Sequence, residues 1–151
     1  MKIAMGCDHA AIDMKLEIAE YLKEQGHTIV DYGAESVEGS KGYPVYGARV
    51  GRAVVNGECE LGILFCGTGI GIGLAANKIA GVRCATCSEP YSAQMARRHN
   101  NANVLSMGAR VIGIETAKMM VDAFLSATPE GGRHAARVEL LHKLELGEDI
   151  E

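Results

Sequence analysis

One stretch of the chain, Leu61–Lys78 with the sequence LGILFCGTGIGIGLAANK, constrains the fold more than any other. It opens with an apolar run from Leu61 to Phe65, has glycine at every second position from Gly67 to Gly73, and ends in a helix-like segment. A short apolar run that ends at glycine is typical of a buried parallel strand. A glycine-rich turn that leads into a helix exposes backbone N–H groups, and these form an anion site with the helix dipole. The stretch therefore predicts a strand, an anion-binding turn and a helix in succession.

Cys66 stands at the exit of this strand, where open α/β sheets bind ligands. A thiol beside free amides can act as a base or a nucleophile next to a developing oxyanion. The N-terminus of the following helix would stabilise the thiolate that such a base requires. The alternative is a small apolar core residue, which is the usual role of a buried cysteine. The stretch by itself leaves both interpretations open.

The glycines also raise the alternative of a non-catalytic nucleotide-binding module. The P-loop pattern is missing, and only Gly71, Gly73 and Ala76 match the GxGxx[GA] pattern of dinucleotide sites. In that interpretation Glu89, which follows about 18 residues after Gly71, would contact a ribose. This alternative leaves the histidine and arginine motifs farther along the chain unexplained.

Composition narrows the class of protein. A length of 151 residues suggests one domain, residues 1–151, with a substantial core, and 48% hydrophobic residues argue against disorder. The formal charge of −4 gives no reason to expect a nucleic-acid partner. Apolar runs are too short for a membrane span, and Met1–Met5 leads directly into a strand pattern without a signal peptide.

The five cysteines are an odd number without the spacing of a disulfide scaffold, so we expect free thiols in a reducing cytoplasm. The pair Cys84-x-x-Cys87 has the spacing of metal or redox motifs. It has no second Cys or His pair and lies in a strand-like run, so a structural role is favoured. We expect no metal and no cofactor.

Strand and helix patterns alternate along the chain without a long linker or a repeat. Five strands are predicted, at Lys2–Met5, Thr28–Tyr32, Leu61–Phe65, Val82–Thr86 and Asn103–Met107. Six helices are predicted, at Ala10–Gln25, Pro44–Asn56, Ile70–Ile79, after Ser88 to Arg98, Glu115–Leu125 and Arg133–Glu145. Ser88 is expected to cap the fourth helix, and the last helix is expected to turn Val138, Leu141 and Leu144 inward.

This alternation predicts an α/β fold: an open sandwich around a five-stranded parallel sheet, plus a C-terminal helix. The expected strand order is 2-1-3-4-5, with a switch point between strands 1 and 3. That switch point would bring Asp8 and His9 beside Cys66. Without such neighbours, Asp8 would be a helix cap and His9 an exposed loop residue.

Two further motifs carry groups suited to proton transfer and to phosphate binding. His99 and Asn100 follow two arginines, whose positive charges are favourable at the C-terminal end of a helix dipole. The dipole does not account for His99 or Asn100, and histidine is the side chain most readily poised for proton transfer near neutral pH. Arg133 and Arg137 share one face at the start of the last helix, against its dipole, and a bound phosphate would resolve that conflict. The alternative is a solvated surface pair. Arg110, after the fifth strand, is a weaker phosphate candidate.

Together these motifs resemble the type B ribose-5-phosphate isomerases, a family that includes galactose-6-phosphate isomerase subunits and allose-6-phosphate isomerases. The resemblance covers nearly the whole chain in one register. It rests on Gly6-Cys7-Asp8-His9, Cys66-Gly67-Thr68-Gly69-Ile70-Gly71-Ile72, Ala75-Ala76-Asn77-Lys78, Ser88-Glu89-Pro90-Tyr91, His99-Asn100, and Gly131-Gly132-Arg133-His134 with Arg137.

The resemblance implies a Rossmann-like three-layer α/β/α sandwich and a metal-free aldose–ketose isomerase, an intramolecular oxidoreductase. It implies a homodimer or homotetramer whose active site draws on two subunits. Cys66 would be the base between C1 and C2, Thr68 would assist at the substrate oxygens, and His99 with Asp8 would open the furanose ring. The remaining implied contacts are an enediolate site at Gly67, Gly69, Ile70 and Gly71, a phosphate site at His9, Arg133 and Arg137 with Arg110, and sugar contacts at Asn100 and Tyr43.

Two positions depart from the family's pattern. Gly42 stands before Tyr43-Pro44 where the family usually has an acidic residue, and Val45 stands where a polar residue is common. Ribose 5-phosphate is the expected substrate, and a six-carbon sugar 6-phosphate of the allose or galactose type is the alternative.

Overall fold

The computed structural model describes residues 1–151 and shows five parallel strands and six helices. The strands are β1 Lys2–Cys7, β2 Thr28–Asp31, β3 Leu61–Cys66, β4 Cys84–Thr86 and β5 Val104–Gly108. The helices are α1 Ile12–Glu24, α2 Tyr43–Val55, α3 Ile70–Asn77, α4 Pro90–Asn100, α5 Ile114–Ser126 and α6 Arg133–Glu145. The predicted alternation, class and C-terminal helix are confirmed.

The sheet is buried on both faces because each strand alternates its side chains between two hydrophobic clusters. Ile3 and Met5 of β1 face one cluster together with α1, α4 and α5, whereas Ala4 faces a second cluster together with α2 and α3. Every residue of β3 is buried, as expected for the central strand of a parallel sheet covered on both sides.

The predicted strand order was wrong at its far end. The sheet runs β2-β1-β3-β5-β4, so β5 lies inside and β4 forms the edge. Burial explains the exchange: Val104–Gly108 is buried throughout, whereas β4 has only three residues and ends at the exposed Thr86. A short, partly polar strand is suited to a sheet edge.

The start of α4 also differs from the prediction. Its N-cap is Glu89 rather than Ser88, because the Glu89 carboxylate accepts hydrogen bonds from the Ser92 N–H at 2.9 and 3.1 Å. The helix continues past Arg98 and ends at Asn100, with Asn101 in the left-handed conformation. His99 and Asn100 therefore belong to its last turn.

Helix α6 has the predicted bounds but not the predicted burial. It contains no buried residue, Val138 is only partly covered, and the side chains of Leu141 and Leu144 are 48% and 52% exposed. The other five helices already cover both faces of the sheet, so α6 packs beside the end of α4 instead.

None of the helices is both long and apolar enough to span a membrane.

Candidate active site

The carboxyl edge of the sheet carries the thiol and the glycine-rich loop. Strands β1 and β3 are neighbours, as predicted. Cys7 lies opposite Phe65, so the next residues, Asp8 and Cys66, both lie at the carboxyl edge. The N–H of Gly69 donates a hydrogen bond to Sγ of Cys66 at 3.1 Å, and the N–H of Ile70 donates to Oγ1 of Thr68 at 3.2 Å. The thiol is thus bound to the first turn of α3.

The loop between β3 and α3 leaves backbone donors free. The N–H groups of Gly67, Thr68 and Gly71 form no backbone hydrogen bond within the chain. They lie at the positive end of α3, where an anion is favoured. This part of the chain has the form of the predicted oxyanion site.

Gly69 is required by both conformation and space. Its φ of +80° lies in the left-handed region, and a Cβ there would lie 2.7–2.9 Å from backbone atoms of Met107. Met107 is close only because β5, and not β4, lies beside β3. The strand order that the sequence did not predict therefore shapes the loop around Cys66.

The same exchange of strands brings Arg110 to the site. Cys66 pairs with Gly108, the Ala109 N–H donates to the Cys66 carbonyl at 2.9 Å, and the Arg110 N–H donates to the Gly67 carbonyl at 3.0 Å. The guanidinium of Arg110 lies beside Gly67, where an added Cβ would be 3.2 Å from its Nη1. Arg110 is therefore a stronger candidate than the sequence suggested.

Asp8, His9 and Tyr43 complete the group at this edge. The Asp8 carboxylate is buried and accepts a hydrogen bond from the Ala10 N–H at 2.9 Å, whereas His9 is exposed. The ring of Tyr43 covers Gly71, where a Cβ would lie 3.0 Å from its carbon atoms.

The four thiols other than Cys66 lie in surroundings that disfavour the thiolate. Burial raises the pKa of Cys7 to about 11, of Cys84 to about 12 and of Cys87 to about 11, and it also raises the pKa of Cys59. Such thiols remain protonated at neutral pH and cannot serve as bases. The structural role expected of Cys84 and Cys87 agrees with these values.

The amino edge of the sheet carries the other predicted residues. Helix α4 leads from the carboxyl end of β4 to the amino end of β5, so His99 and Asn100 in its last turn lie at the amino edge. Helix α5 returns to the same edge, where the Glu130 N–H donates to the Arg98 carbonyl at 2.8 Å. Arg133 and Arg137 follow on α6, are exposed and form no salt bridge.

The two groups therefore do not meet within one chain. A strand of five residues such as β5 separates the edges by about 16 Å. No cavity of the chain is lined by Cys66. Cys66 and His99 can face a common hollow only when a second copy contributes one of them.

The family model described as Ribose/Galactose Isomerase matches residues 3–141. The chain belongs to this isomerase family. It is 54% identical over 144 residues to ribose-5-phosphate isomerase B of Escherichia coli (strain K12), with 95% of this chain and 96% of that protein covered.

Solved structures of the isomerase family agree with the fold described above. Ribose-5-phosphate isomerase B of Clostridium thermocellum superposes with a TM-score of 0.95 at 46% identity, covering 97% of this chain and 99% of that one. The enzyme of Mycoplasma genitalium, crystallised with bound ribulose-5-phosphate, superposes with a TM-score of 0.91 at 37% identity, covering 96% of each chain.

The glycines of the nucleotide-binding alternative have packing roles in this isomerase fold. Gly71 lies under the Tyr43 ring, and a Cβ at Gly73 would lie 2.7 Å from the hydroxyls of Thr86 and Ser106. Both carboxylate oxygens of Glu89 accept from the Ser92 N–H, so this residue has a structural role as the N-cap of α4. These contacts account for the glycines and for Glu89 without a nucleotide.

The sequence did not reveal Glu130 and His134 as neighbours of His99. The rings of His99 and His134 stack with centroids 4.1 Å apart, and Oε2 of Glu130 lies 3.8 and 3.5 Å from their Nε2 atoms. Glu130 and His134 are four residues apart in the sequence, and this spacing could have indicated the contact between those two side chains but not their contact with His99. The contact with His99 depends on the return of α5 to the amino edge.

Proposed function

We propose that this protein is a metal-free aldose–ketose isomerase that interconverts ribose 5-phosphate and ribulose 5-phosphate. The observation that carries the proposal is the Cys66 sulfur bound to the Gly69 N–H beside free amides, at the edge where the fold binds ligands. The 54% identity to a ribose-5-phosphate isomerase over nearly the full length supports it.

The reaction begins with ring opening. His99 of one copy, with Asp8 of the other nearby, moves a proton between the ring oxygen and the anomeric hydroxyl, which frees the C1 aldehyde. The His99 imidazole is 37% exposed, so a sugar can reach it. Histidine suits this step because it gives and takes protons near neutral pH.

Isomerisation then moves one proton between neighbouring carbons. The Cys66 thiolate takes the C2 proton of the open aldose, and the electron pair of the broken C–H bond forms the enediolate. The thiol returns a proton to C1, a proton passes from O2 to O1, and the ketose results. Thr68 assists at these oxygens, and the amides of Gly67–Gly71 stabilise the developing charge before it forms.

Phosphate binding positions the reacting carbons. Arg133 and Arg137, which have no acidic partner in the chain, hold the phosphate with His9, and Arg110 contributes beside the loop. Asn100 and Tyr43 contact the sugar. A fixed phosphate holds C1 and C2 at the thiol and so reduces the entropy cost of the reaction.

The site is completed by a second copy of the chain, so the working unit is a homodimer or a dimer of dimers. The placement of Cys66 and His99 at opposite edges of the sheet supports this assembly. The five free cysteines support a reducing compartment such as the cytoplasm.

The second candidate function is isomerisation of a hexose 6-phosphate. Gly42 has no side chain where the family usually has an acidic one, and Val45 replaces a polar residue near the exposed Tyr43. Space beside Tyr43 favours a sugar longer by one carbon.

A coupled isomerase assay on purified protein with EDTA tests both functions. We expect turnover that EDTA does not reduce, and the highest kcat/KM with ribose 5-phosphate rather than with allose 6-phosphate or galactose 6-phosphate. A higher kcat/KM for a hexose phosphate would favour the second candidate, and no turnover with any of them would refute the proposal.

A further inference from the structure

Three side chains at the amino edge form a cluster that the isomerase mechanism does not use in full. They are His99 at the end of α4, Glu130 in the loop before α6, and His134 in the first turn of α6. One oxygen and two nitrogens of these side chains lie within 4.8 Å of one another. Two imidazoles and a carboxylate from three separate elements are a donor set that binds transition metals.

The carboxylate is held in place by Arg98. Its Nε donates to Oε1 of Glu130 at 2.7 Å, and the Glu130 N–H donates to the Arg98 carbonyl at 2.8 Å. The other oxygen, Oε2, is left facing Nε2 of His99 and Nε2 of His134, at 3.8 and 3.5 Å. Such outer contacts orient the ligands of metal sites.

The spacing of the ligand atoms, 3.5 and 3.8 Å from Oε2 of Glu130, is close to that of an open zinc site. Zinc bonds of about 2.0–2.2 Å in a tetrahedral arrangement place ligand atoms about 3.3 Å apart. The stacked rings of His99 and His134 are parallel, so their nitrogens must turn toward a common point. The terminal torsion of histidine is broad, so ion binding would turn the two rings out of their stacked arrangement about this torsion.

The cluster is also open to solvent. The imidazole of His99 is 37% exposed, which leaves a path for the ion and an open coordination position.

We propose that His99, Glu130 and His134 bind a divalent transition-metal ion of the zinc type. This ion inhibits the isomerase because a coordinated His99 nitrogen cannot transfer a proton to the sugar. The binding half stands on the cluster alone. The inhibition half rests on the ring-opening role proposed for His99. The ion is an inhibitor and takes no part in the reaction.

Calorimetric titration of the EDTA-treated, dialysed full-length protein with Zn²⁺ tests the binding half. We expect a binding event whose affinity falls at least tenfold in Glu130→Gln and in His134→Gln, because each removes one ligand. His142→Ala is the matched control, since His142 and Glu145 form an imidazole–carboxylate pair on the same helix, at 3.6 Å, without a third ligand. Binding to thiols would be common to all four proteins, and circular-dichroism melting verifies their folding.

Identical isotherms for the parent protein, Glu130→Gln and His134→Gln would overturn the binding half. In the assay, Zn²⁺ should inhibit turnover reversibly with EDTA, and Glu130→Gln should need at least tenfold more Zn²⁺ relative to its own zinc-free rate. Equal zinc sensitivity in Glu130→Gln would assign the inhibition to a thiol and refute the inhibition half. Zinc binding at the cluster without inhibition would refute the ring-opening role proposed for His99. Turnover without any zinc binding would leave the proposed function intact and refute this inference alone.

Discussion

The backbone N–H of Gly69 donates a hydrogen bond to the sulfur of Cys66, with the two atoms 3.1 Å apart. The donor belongs to the N-cap residue of α3, so the sulfur lies at the positive end of that helix. Burial raises the pKa values of the other four cysteines, so none of them is suited to take up a proton at neutral pH. Cys66 is the thiol that we propose as the base because of its place beside the glycine-rich loop.

Removal of the Cys66 sulfur should abolish turnover while binding persists. For Cys66→Ala we expect kcat to fall by about 10²–10⁴-fold or more, the range for loss of a catalytic acid or base. Steady-state kinetics and calorimetric binding of ribose 5-phosphate measure the two effects separately. Cys87→Ala is the control thiol, and an undiminished kcat in Cys66→Ala would refute the assignment of the base.

Substitution of Gly69 should disturb both the loop and the fold. A side chain at φ +80° costs about 1–2 kcal/mol, and its Cβ would lie 2.7–2.9 Å from the Met107 backbone. We expect Gly69→Ala to lose about 2 kcal/mol or more of unfolding free energy in urea, with a loss of activity. Gly113→Ala is the matched control, because Gly113 is also a helix N-cap but has a φ of −85° and open space around it. Equal losses of stability in the two variants would contradict the role assigned to the φ and the close packing of Gly69.

Two inactive variants should restore activity to each other if the site spans two copies. In a mixed dimer of Cys66→Ala and His99→Ala chains, one site carries both substitutions and the other carries neither. An equimolar mixture, unfolded and refolded together, should recover about a quarter of the parent activity, because half of the dimers are mixed. Each variant refolded alone is the control, and no recovery in the mixture would place both groups in one chain's site.

The arginines of α6 should contribute to substrate binding more than to chemistry. For Arg133→Ala and Arg137→Ala we expect KM for ribose 5-phosphate to rise about tenfold to a hundredfold, or about 1.4–2.8 kcal/mol of binding free energy. Arg52→Ala, at an exposed arginine of α2, should leave KM unchanged. Unchanged KM in both α6 variants would support the solvated surface pair instead.

The ion pair between Arg98 and Glu130 should stabilise the fold only above acidic pH. The hydrogen bond from Arg98 lowers the pKa of Glu130 below its ordinary 4.5, so the folded chain holds this proton less tightly than the unfolded chain. The resulting stability is present above pH 4.5 and is lost as the pH falls through and below that value. Glu130→Gln should therefore lower Tm modestly at neutral pH, and the difference should shrink in acid.

Thermal melts across pH measure this difference. Glu139→Gln is the control, because Glu139 is an exposed glutamate of α6 without a salt bridge. A Tm difference for Glu130→Gln that stays constant from neutral to acidic pH would show that the charge of Glu130 has no part in it.

Local sequence patterns were sufficient for the elements and for the loop around Cys66. An apolar run followed by glycines predicted β3 and α3, and the neighbouring strands β1 and β3 brought Asp8 to Cys66 as expected. These features depend on periodicity, on the φ of glycine and on the short connections of a parallel sheet, all of which are encoded nearby in the chain.

Only the tertiary structure decided where distant elements meet. It placed β5 between β3 and β4, because burial on both faces favours the longer apolar strand. This position of β5 brings Met107 against Gly69 and Arg110 beside Gly67. It left Leu141 and Leu144 of α6 exposed, since five other helices already covered the sheet. It also separated His99 from Cys66, since a helix that follows a parallel strand must return to the opposite edge before the next strand can begin.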